Sequence, residues 1–224
     1  MGFEQSLRAG AKALAIDLPD ETAKGMARHF EVLTKWASRI NITTVTDPDE
    51  AASVHGLDCL LLAECFGLEE ACAVLDVGSG GGFPGIVLAL ARPKLRLTLM
   101  EPQRKRASFL RVALTELKRP DVRVVEGRLE PSSARNPALG AEVLVSRATI
   151  PPLELVRLAA PHLTEAGRLY LMSGSGAPPV AELSRCAEEV GMRHLERREH
   201  RLPGGQTRYI DRLDEVGLGI AKTR

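Results

Sequence analysis

VLDVGSGGGFPGIVLALA, residues 74–91, carries five glycines in eight positions (Gly78, Gly80, Gly81, Gly82 and Gly85) between two apolar segments. Glycine loses more conformational freedom on folding than any other residue. Such a concentration at one joint implies tight turning and a ligand lying against bare backbone. Residues 71–77 (ACAVLDV) read as a buried strand, and residues 83–92 as a helix with Pro93 behind it.

The same alternation continues downstream. LRLTLME (95–101), VRVVEG (122–127), AEVLVSRA (141–148) and GRLYLMSG (167–174) read as strands. Between and after them, residues 102–120, 151–163 and 178–191 read as helices. MRHLERREHRL and TRYIDRL flank PGGQ as a final hairpin. Strands alternating with helices predict a mostly parallel sheet covered on both faces, here closed by an antiparallel hairpin.

Upstream, the first seventy residues read as helices. In residues 21–40, Met26, Phe30, Leu33, Trp36 and Ile40 recur at spacings of four, three, three and four, which is one helical face. Asp20 is the expected N-cap. NITTVTDPDE breaks this pattern, and a further helix is expected over residues 48–67. This part has too few large apolar residues for a generous core of its own. Residues 1–70 are therefore expected as a helical cap on a sheet domain of residues 71–224, the two forming one compact unit.

Composition is that of a globular chain, 44% hydrophobic and 26% charged. A net charge of +1 excludes attachment to nucleic acid by bulk charge alone but leaves room for a local basic face. No apolar stretch approaches the length of a bilayer span, and the N-terminus lacks a signal-peptide h-region. MGFEQS fits the loose myristoylation pattern, a match too short to carry an argument. Cys59, Cys65, Cys72 and Cys186 show no CxxC spacing, which points to free thiols in a reducing cytoplasm rather than zinc or disulfides.

A sheet of this kind binds ligands beyond the carboxyl ends of its strands. Gly80-x-Gly82-x-x-Gly85 fits a dinucleotide fingerprint, a weak signal alone. Asp76, at the strand end two residues before Gly78, instead gives Asp-x-Gly-x-Gly, the pattern of the methionine-binding loop of class I methyltransferases. Glu101 ends the next strand, where a carboxylate can take both ribose hydroxyls of either cofactor. Almost the whole chain belongs to one sheet, leaving no substrate domain for a dehydrogenase. The expected fold is α/β: a class I (Rossmann-like) S-adenosylmethionine-dependent methyltransferase sheet with an N-terminal helical cap.

NITTVTDPDE…HGLDCL, VLDVGSGGGFPGI, EPQRKRASFL, VVEGRLE and VLVSRA occur in this order over roughly residues 20–175. Together they resemble the RsmG (GidB) family, bacterial methyltransferases acting on N7 of one guanine in the decoding-centre loop of 16S ribosomal RNA. The resemblance implies S-adenosylmethionine as cofactor, held at Gly78, Gly80 and Phe83 in the loop beside Asp76. It puts Glu101 on the ribose, Leu129 and Glu130 facing the adenine, and Arg147 closing the site near methyl donor and target, as catalytic residue. The implied partner is 16S rRNA or the small ribosomal subunit, met in the cytoplasm by a monomer with no metal and no membrane contact. Ser173-Gly174 departs from the Lys-Gly that the family usually shows after this strand, and Val54-His55 from its Arg-His.

Guanine N7 has a lone pair and no proton, so its attack on a sulfonium methyl needs alignment, dryness and charge stabilisation rather than a general base. There is no Asn-Pro-Pro-Tyr motif for exocyclic amines and no Pro-Cys nucleophile for cytosine. His55 and Asp58 share a helical face, either as a packing pair or orienting the base. Arg104, Lys105 and Arg106 open a helix against the usual dipole preference and form one candidate RNA contact, with Arg111 further along. Arg197 and Arg198 lead a second cluster with Arg193, Arg201, His194 and His200. The competing readings are a small-molecule methyltransferase, a Rossmann oxidoreductase, and a non-catalytic RNA-binding assembly factor.

Overall fold

The computed structural model describes residues 1–67, 70–131, 140–147 and 150–216. The last residues of the fourth expected strand and its SRATIPP continuation (Ala148, Thr149), and the C-terminal residues 217–224, lie outside them.

The chain opens with helices α1 (Phe3–Ala13) and α2 (Asp20–Ala37). Met26, Phe30 and Leu33 are buried, and Trp36 and Ile40 pack partly buried against the same core. Asp20 is not the N-cap of α2. Pro19 holds that position, and Asp20 is the first helical residue, pairing with Arg8 of α1 at 2.7 Å. The next expected helix is broken into three pieces, α3 (Pro48–Ala51), a π-helical turn (Ala52–Leu57) and α4 (Asp58–Ala63). Asp47 caps α3 by accepting from the Asp49 and Glu50 N–H groups. The π turn lies close on α1, because a Cβ on Gly56 would meet the Leu7 side chain at 2.5 Å.

Seven strands follow: β1 (Ala73–Val77), β2 (Arg96–Glu101), β3 (Arg123–Glu126), β4 (Ala141–Arg147), β5 (Leu163–Ser173), β6 (Met192–Arg201) and β7 (Thr207–Glu215). They form one sheet in the order β3-β2-β1-β4-β5-β7-β6. β1 to β5 are parallel, and β7 runs antiparallel to β5 and β6. This is the expected class I sheet with its closing hairpin. Strand order reverses between β1 and β4, so the crevice beyond their carboxyl ends is where a ligand belongs.

α5 (Gly85–Ala91) and α6 (Arg104–Glu116) cover one face, and α7 (Pro152–Ala159) and α8 (Val180–Glu189) the other. Val74 faces the first core, and Leu75 and Val77 face the second. The first core is continuous with the helical cap: Leu7, Met26, Leu33 and Leu57 belong to one buried cluster with Val87, Leu99, Phe109 and Val143. Cap and sheet thus share one apolar core, which holds the cap against the sheet domain.

Candidate active site

The glycine loop leaves β1 with Gly78, Gly80 and Gly82 at φ values of +75°, +52° and +88°. Only glycine adopts these freely. Gly85 has a different reason: a Cβ there would lie 2.2 Å from Leu99 Cδ2 and 2.5 Å from Asp76 Oδ2. Its N–H donates to Asp76 Oδ2 at 3.0 Å. Asp76 is wholly buried, and its other oxygen, Oδ1, has no hydrogen-bond partner. Burial pushes its carboxyl up to about 6, with the Gly85 and Ser79 contacts opposing the rise. Glu101, buried at the end of β2, accepts from Gly80 N–H and Gln103 N–H, each at 2.9 Å. It ties the loop to the start of α6.

A cleft of about 470 Å³ opens beyond β1, β2 and β3. Gly78, Met100, Pro102, Leu129 and Glu130 line it. Leu129 is buried and Glu130 exposed. The backbone here is held by His162, whose Nε2 lies 2.9 Å from the Glu130 carbonyl. Phe83, expected at the cofactor, is not among the residues lining this cleft. Its ring is enclosed between His29 and His55, at centroid distances of 4.9 and 4.6 Å, with the Arg147 guanidinium 5.2 Å over it.

Arg147 ends β4 and reaches into the cap. Its Nη1 donates to the Val54 carbonyl at 2.8 Å and its Nη2 faces His55 Nδ1 at 3.2 Å. A guanidinium only donates, so Nδ1 accepts and the ring proton sits on Nε2, 3.2 Å from Thr43 Oγ1. Burial, then the Arg147 charge, bring the His55 pKa down to about 3. His29, fully enclosed behind Gly82, falls to about 4 through burial. Both imidazoles are neutral at physiological pH. Arg147 therefore acts within this chain first as a clasp between sheet and cap.

A second cavity, of about 550 Å³ and lined by Arg147, lies beyond β4 and β5. Asp58, 3% exposed, sits in its wall, facing two guanidinium groups and an imidazole from three strands. Arg147 Nη1 is 3.8 Å away, His200 Nε2 3.3 Å and Arg208 Nε 3.7 Å. Ser173 and Gly174 line the same cavity, and Arg208 Nη1 lies where a Cβ on Gly174 would need room, 2.8 Å away. Arg208 and His200 are paired across the β6–β7 hairpin. Neither was singled out from the sequence for this place, because only the hairpin register reveals that they meet Asp58.

The expected RNA-contact residues divide in two. Arg104 and Lys105 are exposed, immediately after Pro102 of the first cleft. Arg106 instead donates to the Asn41 carbonyl at 2.7 Å. Arg197 is directed inward, donating to both Asp211 oxygens at 2.8 and 2.9 Å and to the Pro178 carbonyl. Asp211 is fully buried and also holds His194. This geometry makes Arg197 an internal ion-pair residue. Arg198 is half-exposed and paired with its neighbour Glu196.

Residues 22–199 match the family described as rRNA small subunit methyltransferase G. The chain belongs to that family. Ribosomal RNA small subunit methyltransferase G of Myxococcus xanthus is 34% identical over 202 residues, covering 90% of this chain and 91% of that protein. The protein of the same name from Neisseria gonorrhoeae is 34% identical over 197 residues, covering 88% and 91%. The fold alone is shared with a methyltransferase from Pyrococcus furiosus, at TM-score 0.58 and 13% identity over 85% of this chain and 97% of that one. A SAM dependent methyltransferase from Aquifex aeolicus gives TM-score 0.53 and 17% identity over 71% and 90%. No helix among the described residues is long and apolar enough to cross a membrane.

Proposed function

We infer that the chain transfers the methyl group of S-adenosylmethionine to N7 of one guanine in the decoding-centre loop of 16S rRNA, presented as RNA or within the small subunit. The observation that carries this reading is the clasp at Arg147. Arg147 lines the second cavity beside His55, which burial first and the Arg147 charge second keep neutral, with its basic Nδ1 already accepting a hydrogen bond. Such a site aligns a nucleophile that has no proton to lose.

The first cleft suits the cofactor. The unpartnered buried oxygen of Asp76 fits a water-bridged ammonium, and the positive-φ glycines leave room for a ligand against the backbone. Glu101 keeps acceptor capacity beyond its two backbone donors for ribose hydroxyls, and Leu129 with Met100 offers an apolar wall for an adenine. When bound, the cofactor supplies an electrophilic methyl on a sulfonium. Phe83 does not line this cleft; its ring packs between His29 and His55. Arg104 and Lys105, exposed at the start of α6, favour a polyanionic acceptor over a small molecule. Acting on small-subunit RNA places the work in the cytoplasm, and the chemistry asks for neither a metal nor a second subunit.

The test is a transfer assay. The protein is incubated with tritiated S-adenosylmethionine and either 16S RNA or small subunits from cells lacking this modification. Label is then mapped by cleavage specific for N7-methylguanine. Label at one guanine, lost in Glu101→Ala, is the expected result. Tight cofactor binding without label on either substrate overturns the acceptor assignment.

A further inference from the structure

The acceptor cavity of about 550 Å³ contains two carboxylates, Glu50 and Asp58. They are not equivalent. Both Asp58 oxygens are engaged, Oδ1 facing the His200 imidazole and Oδ2 the Arg147 and Arg208 guanidinium groups. Glu50 is exposed and has no ion-pair partner among the described residues. It is the cavity carboxylate with both oxygens open to a ligand.

Its position is fixed by the local chain. Asp47 caps α3 through the Glu50 N–H at 2.8 Å, and Pro48 opens the helix. Asp49 is held by Ser6 Oγ and the N-terminal ammonium. Glu50, Val54 and Asp58 follow at four-residue spacing through the π turn and all line the cavity. A carboxylate anchored at its backbone and free at its head is a receptor for donors.

We propose that Glu50 reads the acceptor base, taking the N1–H and N2–H donors of guanine while N7 is turned toward the methyl donor. This rests on the guanine-acceptor reading above. Guanine carries acceptors O6 and N7 on one edge and two adjacent donors, N1–H and the N2 amino group, on the next. A carboxylate matches that donor pair in bidentate fashion. Adenine has no N1–H and leaves the carboxylate facing a lone pair. The same contact serves the reaction. As N7 bonds to the methyl carbon and the carbon–sulfur bond breaks, the base becomes cationic and its N1–H more acidic. A carboxylate at that edge binds the charged base more strongly than the neutral one.

The experiment compares wild type and Glu50→Gln on two ligated 16S RNAs, with guanine or inosine at the mapped acceptor. Inosine keeps N1–H and lacks the N2 amino group. The wild type is expected to prefer guanine about tenfold in kcat/KM, and Glu50→Gln to lose about 10- to 100-fold on guanine. The preference over inosine should collapse in the variant, while its affinity for S-adenosylmethionine and its melting temperature stay at the wild-type values. An equal loss on both RNAs, or an undiminished preference for guanine, overturns the proposal and makes Glu50 a structural residue. Absence of N7 label from the wild type on either RNA overturns the acceptor reading itself, and this assignment with it.

Discussion

Arg147 donates to both the Val54 carbonyl and His55 Nδ1, at 2.8 and 3.2 Å, so a single β4 side chain fixes the π turn of the cap and the tautomer of its histidine. The planar guanidinium also lies over Phe83. A lysine cannot do all three, because its ammonium is a point charge on a flexible stem. Arg147→Lys is therefore expected to lower kcat by about 100-fold or more, consistent with the loss of a preorganised donor set. The fold should persist, with unfolding free energy reduced by about 1–2 kcal/mol. Single-turnover transfer and urea unfolding measured on the same preparation check both numbers.

If Asp76 faces the cofactor's ammonium group, as proposed, cofactor affinity depends on pH. Burial raises its carboxyl to about 6, so below that pH the folded protein carries it neutral. A bound ammonium favours the anion, and binding in acid must then release a proton. Affinity for S-adenosylmethionine should rise with pH up to about 6 and level off above it, with a limiting slope of about tenfold per pH unit on the acid side. Asp76→Asn should bind more weakly at pH 7 and show no such rise. Calorimetric titration between pH 5 and 8 decides it, and a wild-type affinity flat across that range removes Asp76 from the cofactor site.

Gly85 sits where a strand end, a loop and a helix start converge. An added methyl meets Leu99 and the Asp76 carboxylate inside van der Waals contact. Gly85→Ala should cost about 2–3 kcal/mol of unfolding free energy through overpacking. It should also weaken cofactor binding, since the Asp76 bond to the Gly85 N–H cannot survive the shift. Gly176, with nothing within 4 Å of a built Cβ, is the control, and Gly176→Ala should be neutral in both assays.

The sheet was legible in the sequence because parallel core strands such as residues 73–77 are mostly apolar runs, broken there only by Asp76, and the glycine loop marks where that strand ends. The cap was legible as helices but not in its detail. Residues 48–67 have an unbroken helical pattern, and the π turn that places His55 beside Arg147 arises from packing against α1 and β4. Asp58 was visible as a partner of His55 on one helix face. Its actual partners, His200 and Arg208, lie more than 140 residues away and meet it only through the hairpin register. The basic clusters looked alike as sequence. What separates Arg197 from Arg104 is the buried carboxylate of Asp211, which local pattern does not reveal.

That separation is measurable. Arg104 and Lys105 are exposed at the start of α6, whereas Arg197 neutralises a buried anion. If the first pair contacts phosphates, Arg104→Ala with Lys105→Ala should reduce the slope of log affinity for 16S RNA against log salt by about 1 to 2. Stability should change by no more than about 0.5 kcal/mol, as for surface positions in general. Arg197→Ala should do the reverse. It leaves Asp211 facing His194 alone and should cost about 3 kcal/mol of unfolding free energy, with the salt slope unchanged. An unaltered slope in the double variant would move the RNA contact away from the start of α6, and a lowered slope in a fully folded Arg197→Ala would return it to the hairpin.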